Sequence, residues 1–272
     1  MVDAERKVKS VSKFMSGVEL ISEARLNTFR AFASDDFKAL ELHNMTLQVG
    51  SSLMAVIALI ELALRNVSSE QIARDFGKDG WLLEPPETMK LRDKELRSIK
   101  HAVQHAKKAQ YAKLSYREKQ SLDDSIYPNG LPANIKHETL SKKRIETFDA
   151  SHGQVIAQTT IFFWKRLYSG DYDEPLWRRS LKRVFPQKHV ERSDVSLHLE
   201  SLYTARNRVA HHDPVYGVRL DEAFAAVKFF RDNFMKKPTD RETEFQRFTE
   251  IQFHRLYIDY IAFKKGWSLL ED

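Results

Sequence analysis

Residues 203–214 read YTARNRVAHHDP, and the rest of the chain is organised around this stretch. The helical spacing of the residues before it continues to Arg206, so an arginine lies in line with core-facing positions. Burying a guanidinium without a partner costs several kcal/mol. Pro214 disfavours helical geometry at Asp213 and ends the helix. The apolar stripe that leads into this stretch consists of Val195, Leu199 and Leu202.

Three polar side chains collect at the predicted end of this helix. Asn207 and His211 are four residues apart and share a face, next to Arg206. An arginine holds phosphate oxygens, an amide orients a hydroxyl or a phosphate, and an imidazole transfers a proton near neutral pH. This set fits metal-free RNA cleavage, in which the 2′-hydroxyl attacks the adjacent phosphate and leaves a 2′,3′-cyclic phosphate and a 5′-hydroxyl.

The same residues allow other interpretations. RNA cleavage benefits from both an acid and a base, and the second group could be His212, a residue near Arg65, or a second copy of the chain in a symmetric dimer. A structural alternative is that the two histidines interact with the helix dipole and that Arg206 is a buried partner of Glu61. Under that alternative the stretch would serve stability and not catalysis.

A second polar cluster ends the most apolar part of the chain. Residues 51–67 predict a helix that is buried nearly all round. Glu61 and Arg65 are four residues apart and can pair on one face, and Asn66 repeats the Arg-Asn dipeptide of the first stretch. The cluster is either an internal ion pair at the end of a core helix or a set of supporting residues that faces the first cluster.

The composition restricts the class of protein. The 272 residues carry a formal net charge of +6, which permits a polyanionic partner such as RNA. The chain has no cysteine, so disulfides and thiol nucleophiles are excluded and a reducing compartment is expected. The longest apolar run, residues 53–60, is far shorter than the roughly 20 residues of a membrane span, and the first ten residues do not resemble a signal peptide. We therefore predict a cytoplasmic protein without a membrane partner.

Helical periodicity predicts an all-α fold, because long alternating strand patterns are missing. Residues 11–32 predict one helix and residues 35–49 a second, which Ser34 or Asp35 would cap and Gly50 would end. Three side chains of the second helix are expected to point inward: Phe37, Leu40 and Leu47. Further helices are predicted over residues 69–76, 193–211, 220–234 and 241–265.

Residues 84–149 differ in character from the rest. Lysine and arginine dominate residues 90–119, and a turn-rich loop follows at 127–132. We interpret this region as a basic helical insertion, whose charges form either a solvated face or an RNA-binding surface. His101 and His105 are spaced to share a metal, but no third ligand is evident, so neither a metal nor a cofactor is predicted.

Three blocks of the chain resemble a known family. Arg206, Asn207 and His211 resemble the signature of the HEPN superfamily, which is an arginine, a polar residue, a short spacer and a histidine. Residues 59–66, 163–167 and 205–215 resemble, in order, the first, middle and last blocks of the Abi-like family of bacterial abortive-infection proteins. The similarity extends over roughly residues 15–83 and 150–230.

The resemblance implies a HEPN-like helical bundle formed by one domain, residues 1–272, with a variable insertion at about 84–149. It also implies a metal-independent endoribonuclease, usually a homodimer, that acts in phage defence or as a toxin, with an antitoxin or a regulatory RNA as a further partner. Arg206, Asn207 and His211 are then catalytic, and His212 also falls within the spacing that the family permits. The first block supplies the supporting candidates: Glu61, Arg65 and Asn66. The alternative is a non-catalytic RNA- or partner-binding HEPN module.

Overall fold

The computed structural model describes residues 21–237 and 239–270, and every regular element in this part of the chain is helical. The all-α prediction is therefore confirmed. The N-terminal part of the helix predicted for residues 11–32 lies outside the described residues. The α-helices are α1 (Glu23–Arg30), α2 (Asp36–Phe76), α3 (Asp93–Ala112), α4 (Tyr116–Ile126), α5 (His137–Glu146), α6 (His152–Gln158), α7 (Ile161–Leu167), α8 (Arg192–Ala210), α9 (Gly217–Asn233) and α10 (Glu244–Leu270).

The chain divides into two compact units. Of the described residues, those up to 60 and those from 197 onward make up the first unit, and residues 61–196 make up the second unit. Helices α2 and α8 each continue from one unit into the other. Because both boundaries fall inside helices, the division does not test the single-domain organisation, which stays a prediction.

Helix α2 is a single element of 41 residues, so the predicted break at Gly50 and the predicted separation of helices 51–67 and 69–76 are both wrong. Its start was predicted correctly, since the side chain of Asp35 accepts a hydrogen bond from the Lys38 N–H at 2.8 Å and caps the first turn. A glycine inside a helix costs only about 1 kcal/mol relative to alanine. Gly50 packs close to Val209 of α8, and such packing outweighs the cost.

The buried face of α2 also differs from the prediction. Leu40 is buried as expected, whereas Phe37 and Leu47 are 54% and 45% exposed. The buried stripe runs through Leu42, Val49 and Leu53, and positions outside it face away from the core. All-round burial of residues 51–67 is likewise wrong, because one side of the helix is exposed at Ser51, Ala55, Ala58 and Leu62.

Helix α2 is also the one element, within the described part of the chain, that is long and apolar enough to meet the length and composition of a membrane span. Its most apolar window has a mean hydropathy of 1.9, and 44% of that window is buried inside the protein. Core helices of soluble proteins meet the same two criteria. The cytoplasmic location therefore stays a prediction.

The second unit has an aromatic core. Trp81 and Trp164 are fully buried, with ring centroids 6.1 Å apart in an edge-to-face arrangement. Helix α3, from the predicted basic insertion, packs against α6 of the same unit, and its buried residues are Glu95, Ile99, Ala102 and Ala106. The spacing of apolar residues between Leu176 and Val184 predicts a helix that Pro186 ends, and this prediction is wrong. The segment is a series of short turns: a 3₁₀ turn (Gly170–Tyr172), a π turn (Asp173–Arg178) and a second 3₁₀ turn (Leu181–Val184).

The core of the first unit follows the sequence pattern closely in α8 and α9. The stripe of α8 is fully buried at Leu199 and Leu202, and the stripe of α9 is buried over its whole length. Helix α10 is mixed, since Phe245, Leu256 and Phe263 are buried and other apolar residues are exposed. Helical spacing predicts five core positions in α9 and the residue after it, and all five are buried: Leu220, Phe224, Val227, Phe230 and Phe234.

Candidate functional site

The site residues lie where α8 ends. The N–H of Asp213 donates to the carbonyl of Arg208 at 2.7 Å, and the N–H of His212 donates to the carbonyl of Val209 at 3.0 Å. These two bonds form a Schellman motif, which satisfies carbonyls that a helix end leaves free. Pro214 follows the motif, as the sequence predicted. The helix end is therefore a defined structure that holds its side chains in place.

His212 occupies the left-handed position of this motif, with φ at +57°. Glycine is usual there, because a Cβ in this conformation costs about 1–2 kcal/mol. Histidine is one of the residues enriched among the exceptions. Strained backbone positions concentrate at functional sites, so the strain at His212 is consistent with a functional helix end.

Arg206 is half-buried, so its predicted burial in the core is wrong. The next core position of α8 is taken by Ala205, which is 3% exposed and leaves Arg206 at the edge of the stripe. The Nη1 atom of Arg206 donates to the Oδ1 atom of Asn207 over a long 3.4 Å. Within the described residues no carboxylate pairs with this guanidinium, which is therefore available to an anion.

Asn207 and His211 lie on one face of the last turn of α8. The N–H of His211 donates to the carbonyl of Asn207 at 3.0 Å, so the turn between them is intact. Asn207 is half-buried and the side chain of His211 is exposed. Helical spacing therefore places the exposed imidazole beside the amide. Arg206, Asn207 and His211 are called the motif cluster below.

Sequence reasoning missed Arg25 on α1. Its Nη2 atom donates to the carbonyl of His211 at 3.4 Å, which places a cation at the C-terminal end of α8. The sequence carried a signal for it, because this arginine interrupts an apolar stripe that includes Phe29. The contact itself links residues 186 positions apart, which helical periodicity does not report.

A cavity of about 270 Å³ lies beside this helix end, and all of its lining residues belong to the first unit. Two arginines and two histidines face it, together with aromatic and hydroxyl-bearing side chains. We call it the His43 cavity. Its lining consists of Ala24, Arg25, Thr28, Phe29, His43, Thr46, Leu47, Arg208, His212, Asp213, Pro214 and Tyr216.

His43 is a second residue that sequence reasoning missed. Its side chain is 7% exposed, and within the described residues its buried Nδ1 atom has no hydrogen-bond partner. The ring packs edge-on against Phe29, with centroids 5.5 Å apart. Burial lowers the pKa of His43, and a hydrogen bond with the side chain of Asn44 opposes this shift. A buried and unpartnered imidazole nitrogen is costly and marks a position that a ligand can satisfy.

The second predicted cluster lies on α2 within the second unit. Glu61 and Arg65 are half-buried and Asn66 is exposed. In the described part of the chain no ion pair joins Glu61 to Arg65, and the buried Nε atom of Arg65 lacks a partner. The supporting role of these three residues stays a prediction.

Residues 21–237 and 239–270 contain no group of three histidine, aspartate or glutamate side chains placed to hold a metal ion. His101 and His105, which the sequence placed at metal-sharing spacing, are both exposed on α3. Independence from metal remains a prediction that activity measurements must test.

Comparison of the chain with protein-family models, with curated proteins and with solved structures finds no match. The resemblance to the Abi-like HEPN proteins therefore rests on the three sequence blocks alone.

Proposed function

We propose that the protein is a metal-independent, HEPN-type endoribonuclease of bacterial phage defence, acting in abortive infection or as the toxin of a toxin-antitoxin pair. One observation carries the proposal. An exposed His211 lies five residues after an arginine that has no carboxylate partner among the described residues, at a helix end held by a Schellman motif. This arrangement offers a proton-transfer group and a free cation to the same phosphate.

In the proposed reaction the nucleophile belongs to the substrate. His211 accepts the proton of a ribose 2′-hydroxyl, and the resulting oxygen attacks the neighbouring phosphorus. Arg206 neutralises the charge of the pentavalent intermediate, and Asn207 orients the phosphate. The P–O5′ bond breaks, the 5′-oxygen takes a proton, and the products are a 2′,3′-cyclic phosphate and a 5′-hydroxyl. His212, or His211 of a second copy in a homodimer, supplies that proton.

The remaining parts of the proposal follow from the resemblance. The substrate is cytoplasmic RNA, no cofactor takes part, and the active form is a homodimer. An antitoxin or a regulatory RNA restrains the activity until phage infection. Glu61, Arg65 and Asn66 support the site without touching the substrate.

The test is cleavage of RNA by the purified protein in the presence of EDTA. The wild type should cut RNA and leave cyclic phosphate ends, and His211→Ala and Arg206→Ala should each lower the rate at least about 100-fold, since general acid–base groups contribute that much. His105→Ala, which removes an exposed histidine from α3, should cut like the wild type. A strict requirement for a divalent metal, or full activity of both motif variants, would contradict the proposal.

The alternative is a non-catalytic RNA-binding module, and the exposed basic residues of α3 favour it. Under it, the triple charge reversal Arg97→Glu, Lys100→Glu and Lys108→Glu would weaken salt-dependent RNA binding, while His211→Ala would bind like the wild type. The measurement is RNA affinity at two salt concentrations. Unchanged affinity of the triple variant would exclude α3 as the RNA surface.

A further inference from the structure

We propose that the His43 cavity is a subsite for one nucleotide of the RNA, in which Arg25 and Arg208 hold a phosphate and His43 hydrogen-bonds to the nucleoside. The inference rests on the proposed ribonuclease function and adds a binding site to it. The motif cluster performs the chemistry, and the cavity fixes a neighbouring nucleotide. Four features of the cavity support this assignment.

The first feature is its charge. Arg25 makes a single long hydrogen bond to a backbone carbonyl, and the Nε atom of Arg208 donates to the carbonyl of Pro214 at 3.2 Å. Within the described residues neither guanidinium is paired with a carboxylate. Asp213 is the one acidic residue of the lining, and it is exposed. The cavity is therefore net positive, and two guanidinium groups are suited to phosphate oxygens.

The second feature is His43. Its imidazole is nine-tenths buried and its Nδ1 atom has no partner in the described chain, although buried polar groups are almost always hydrogen-bonded. The hydroxyl of Thr46 donates to the backbone carbonyl of His43 at 2.7 Å and therefore does not serve the ring. A neutral imidazole can donate a hydrogen bond to a base or a ribose hydroxyl, or accept one from it. Inorganic phosphate has neither a base nor a ribose hydroxyl.

The third feature is size and shape. The volume of about 270 Å³ is smaller than the roughly 300–1,000 Å³ of pockets that enclose drug-sized ligands. A single nucleotide therefore fits this cavity better than an oligonucleotide does. Phe29 and Tyr216 form part of the wall, and because Phe29 is 1% exposed, the half-buried Tyr216 is the ring that can contact a base. The ring of Tyr216 stacks on Trp267 with centroids 5.1 Å apart, which holds this part of the wall in place. Aromatic side chains are the surfaces on which proteins stack unpaired RNA bases.

The fourth feature is position. Arg25 contacts the backbone of His211, and His212 lines the cavity directly after it. A nucleotide held in the cavity is therefore beside the backbone of His211, the residue that performs the proposed proton transfer. This arrangement would place the scissile phosphate by holding the nucleotide next to it.

The experiment is titration calorimetry on the full-length protein with the four nucleoside 5′-monophosphates, the corresponding nucleosides and inorganic phosphate. At least one nucleotide should bind more tightly than either its nucleoside or phosphate. Arg25→Gln, which removes an exposed charge, should lower nucleotide affinity at least tenfold. Arg247→Gln, which removes an equally exposed arginine of α10, should bind like the wild type.

A second pair of variants tests the role of the imidazole. His43→Phe keeps an aromatic ring in the buried position and should lower nucleotide affinity while leaving phosphate affinity unchanged, and His43→Gln should restore part of the loss. Circular dichroism confirms that each variant is folded. Because binding is measured without cleavage, the result does not depend on whether the protein cuts RNA.

Three results would overturn the inference: no nucleotide binding at millimolar concentration, equal affinity for phosphate and nucleotides, or unchanged binding by Arg25→Gln. If these occur while His211→Ala abolishes RNA cleavage, the ribonuclease proposal stands and the subsite is wrong. If nucleotides bind as expected and no RNA is cleaved, the subsite stands and the ribonuclease proposal is wrong.

Discussion

Two buried carboxylates of the second unit are paired with arginines, whereas within the described residues the arginines at the end of α8 in the first unit have no carboxylate partner. Glu95 is 1% exposed and accepts hydrogen bonds from the Nε atom of Arg166 at 3.0 Å and the hydroxyl of Tyr172 at 2.6 Å. Asp123 accepts from the Nε atom of Arg144 at 2.6 Å. This pairing holds the pKa of the Asp123 carboxyl below its usual range.

The arginines at the end of α8 have weaker partners. Within residues 21–237 and 239–270, the hydrogen bonds of Arg25, Arg206 and Arg208 go to neutral oxygens, at distances between 3.2 and 3.4 Å. The contrast distinguishes charges that stabilise the fold from charges that remain available to a ligand. A paired guanidinium in a core satisfies a buried carboxylate, whereas a guanidinium that contacts only neutral groups can still bind an anion at little cost to the protein.

The largest difference between the two regions should appear when one arginine of each is removed. Arg166→Ala leaves the buried Glu95 carboxylate without its cation, and breaking such a pair costs about 3–5 kcal/mol in the free energy of unfolding. Arg206→Ala removes a half-buried side chain without a carboxylate partner in the described chain, and should change stability by about 0.5 kcal/mol or less. Urea denaturation of both variants measures the difference.

The outcome also decides between a catalytic and a structural Arg206. If Arg206→Ala unfolds the protein as readily as Arg166→Ala does, its guanidinium is part of the fold and the motif cluster loses its free cation. If Arg206→Ala stays folded and is inactive, cleavage is lost because the cation that stabilises the reacting phosphate is missing, and not because the protein unfolds.

A smaller loss of stability is expected when a neutral hydrogen-bonded pair in the second unit is broken. The hydroxyl of Tyr168 is fully buried and hydrogen-bonded to the Oγ atom of Ser68 at 2.7 Å, and burial raises the pKa of this tyrosine. Tyr168→Phe leaves Ser68 without its partner and should cost about 1–3 kcal/mol. Tyr116→Phe, at a tyrosine that is 80% exposed, is the matched control and should be neutral. Equal midpoints in urea for the two variants would contradict the assignment.

The smallest change in stability is expected when the backbone strain at His212 is relieved. His212→Gly removes the Cβ at φ +57° and should raise the free energy of unfolding by about 0.5–1 kcal/mol, because the greater entropy of an unfolded glycine offsets part of the relieved strain. Gly217→Ala, at the same φ of +57°, should shift the melting temperature in the opposite direction. A lower melting temperature for His212→Gly would show that the histidine side chain stabilises the turn.

Local patterns predicted much of this fold. The stripes of α8 and α9, the cap of α2 at Asp35 and the end of α8 before Pro214 all follow from residue spacing and turn chemistry. The same reasoning was wrong at Gly50, because packing along a 41-residue helix outweighs a single unfavourable residue. It was also wrong about Arg206, since the choice between Ala205 and Arg206 as the core position depends on tertiary contacts.

The candidate site was predictable only in part. Arg206, Asn207 and His211 are close in sequence, so helical spacing alone places them together. His43 on α2 and Arg25 on α1 lie near this cluster only because their helices pack beside the end of α8. The end of α8 comes more than 160 positions later in the chain than either residue. Neither residue belongs to a local motif, and a single sequence does not reveal which distant positions meet.

The first unit is assembled from the two ends of the chain, and this order has a consequence for synthesis on the ribosome. All residues of the second unit have been made when position 196 is reached, but His43 must wait for Arg208 and the turn after it. At about 5–20 residues per second, the interval between the synthesis of His43 and that of the turn after Arg208 is roughly 10–30 s. A nascent chain therefore has no complete His43 cavity until Tyr216 has been made, and the proposed nucleotide subsite cannot bind its ligand before that point.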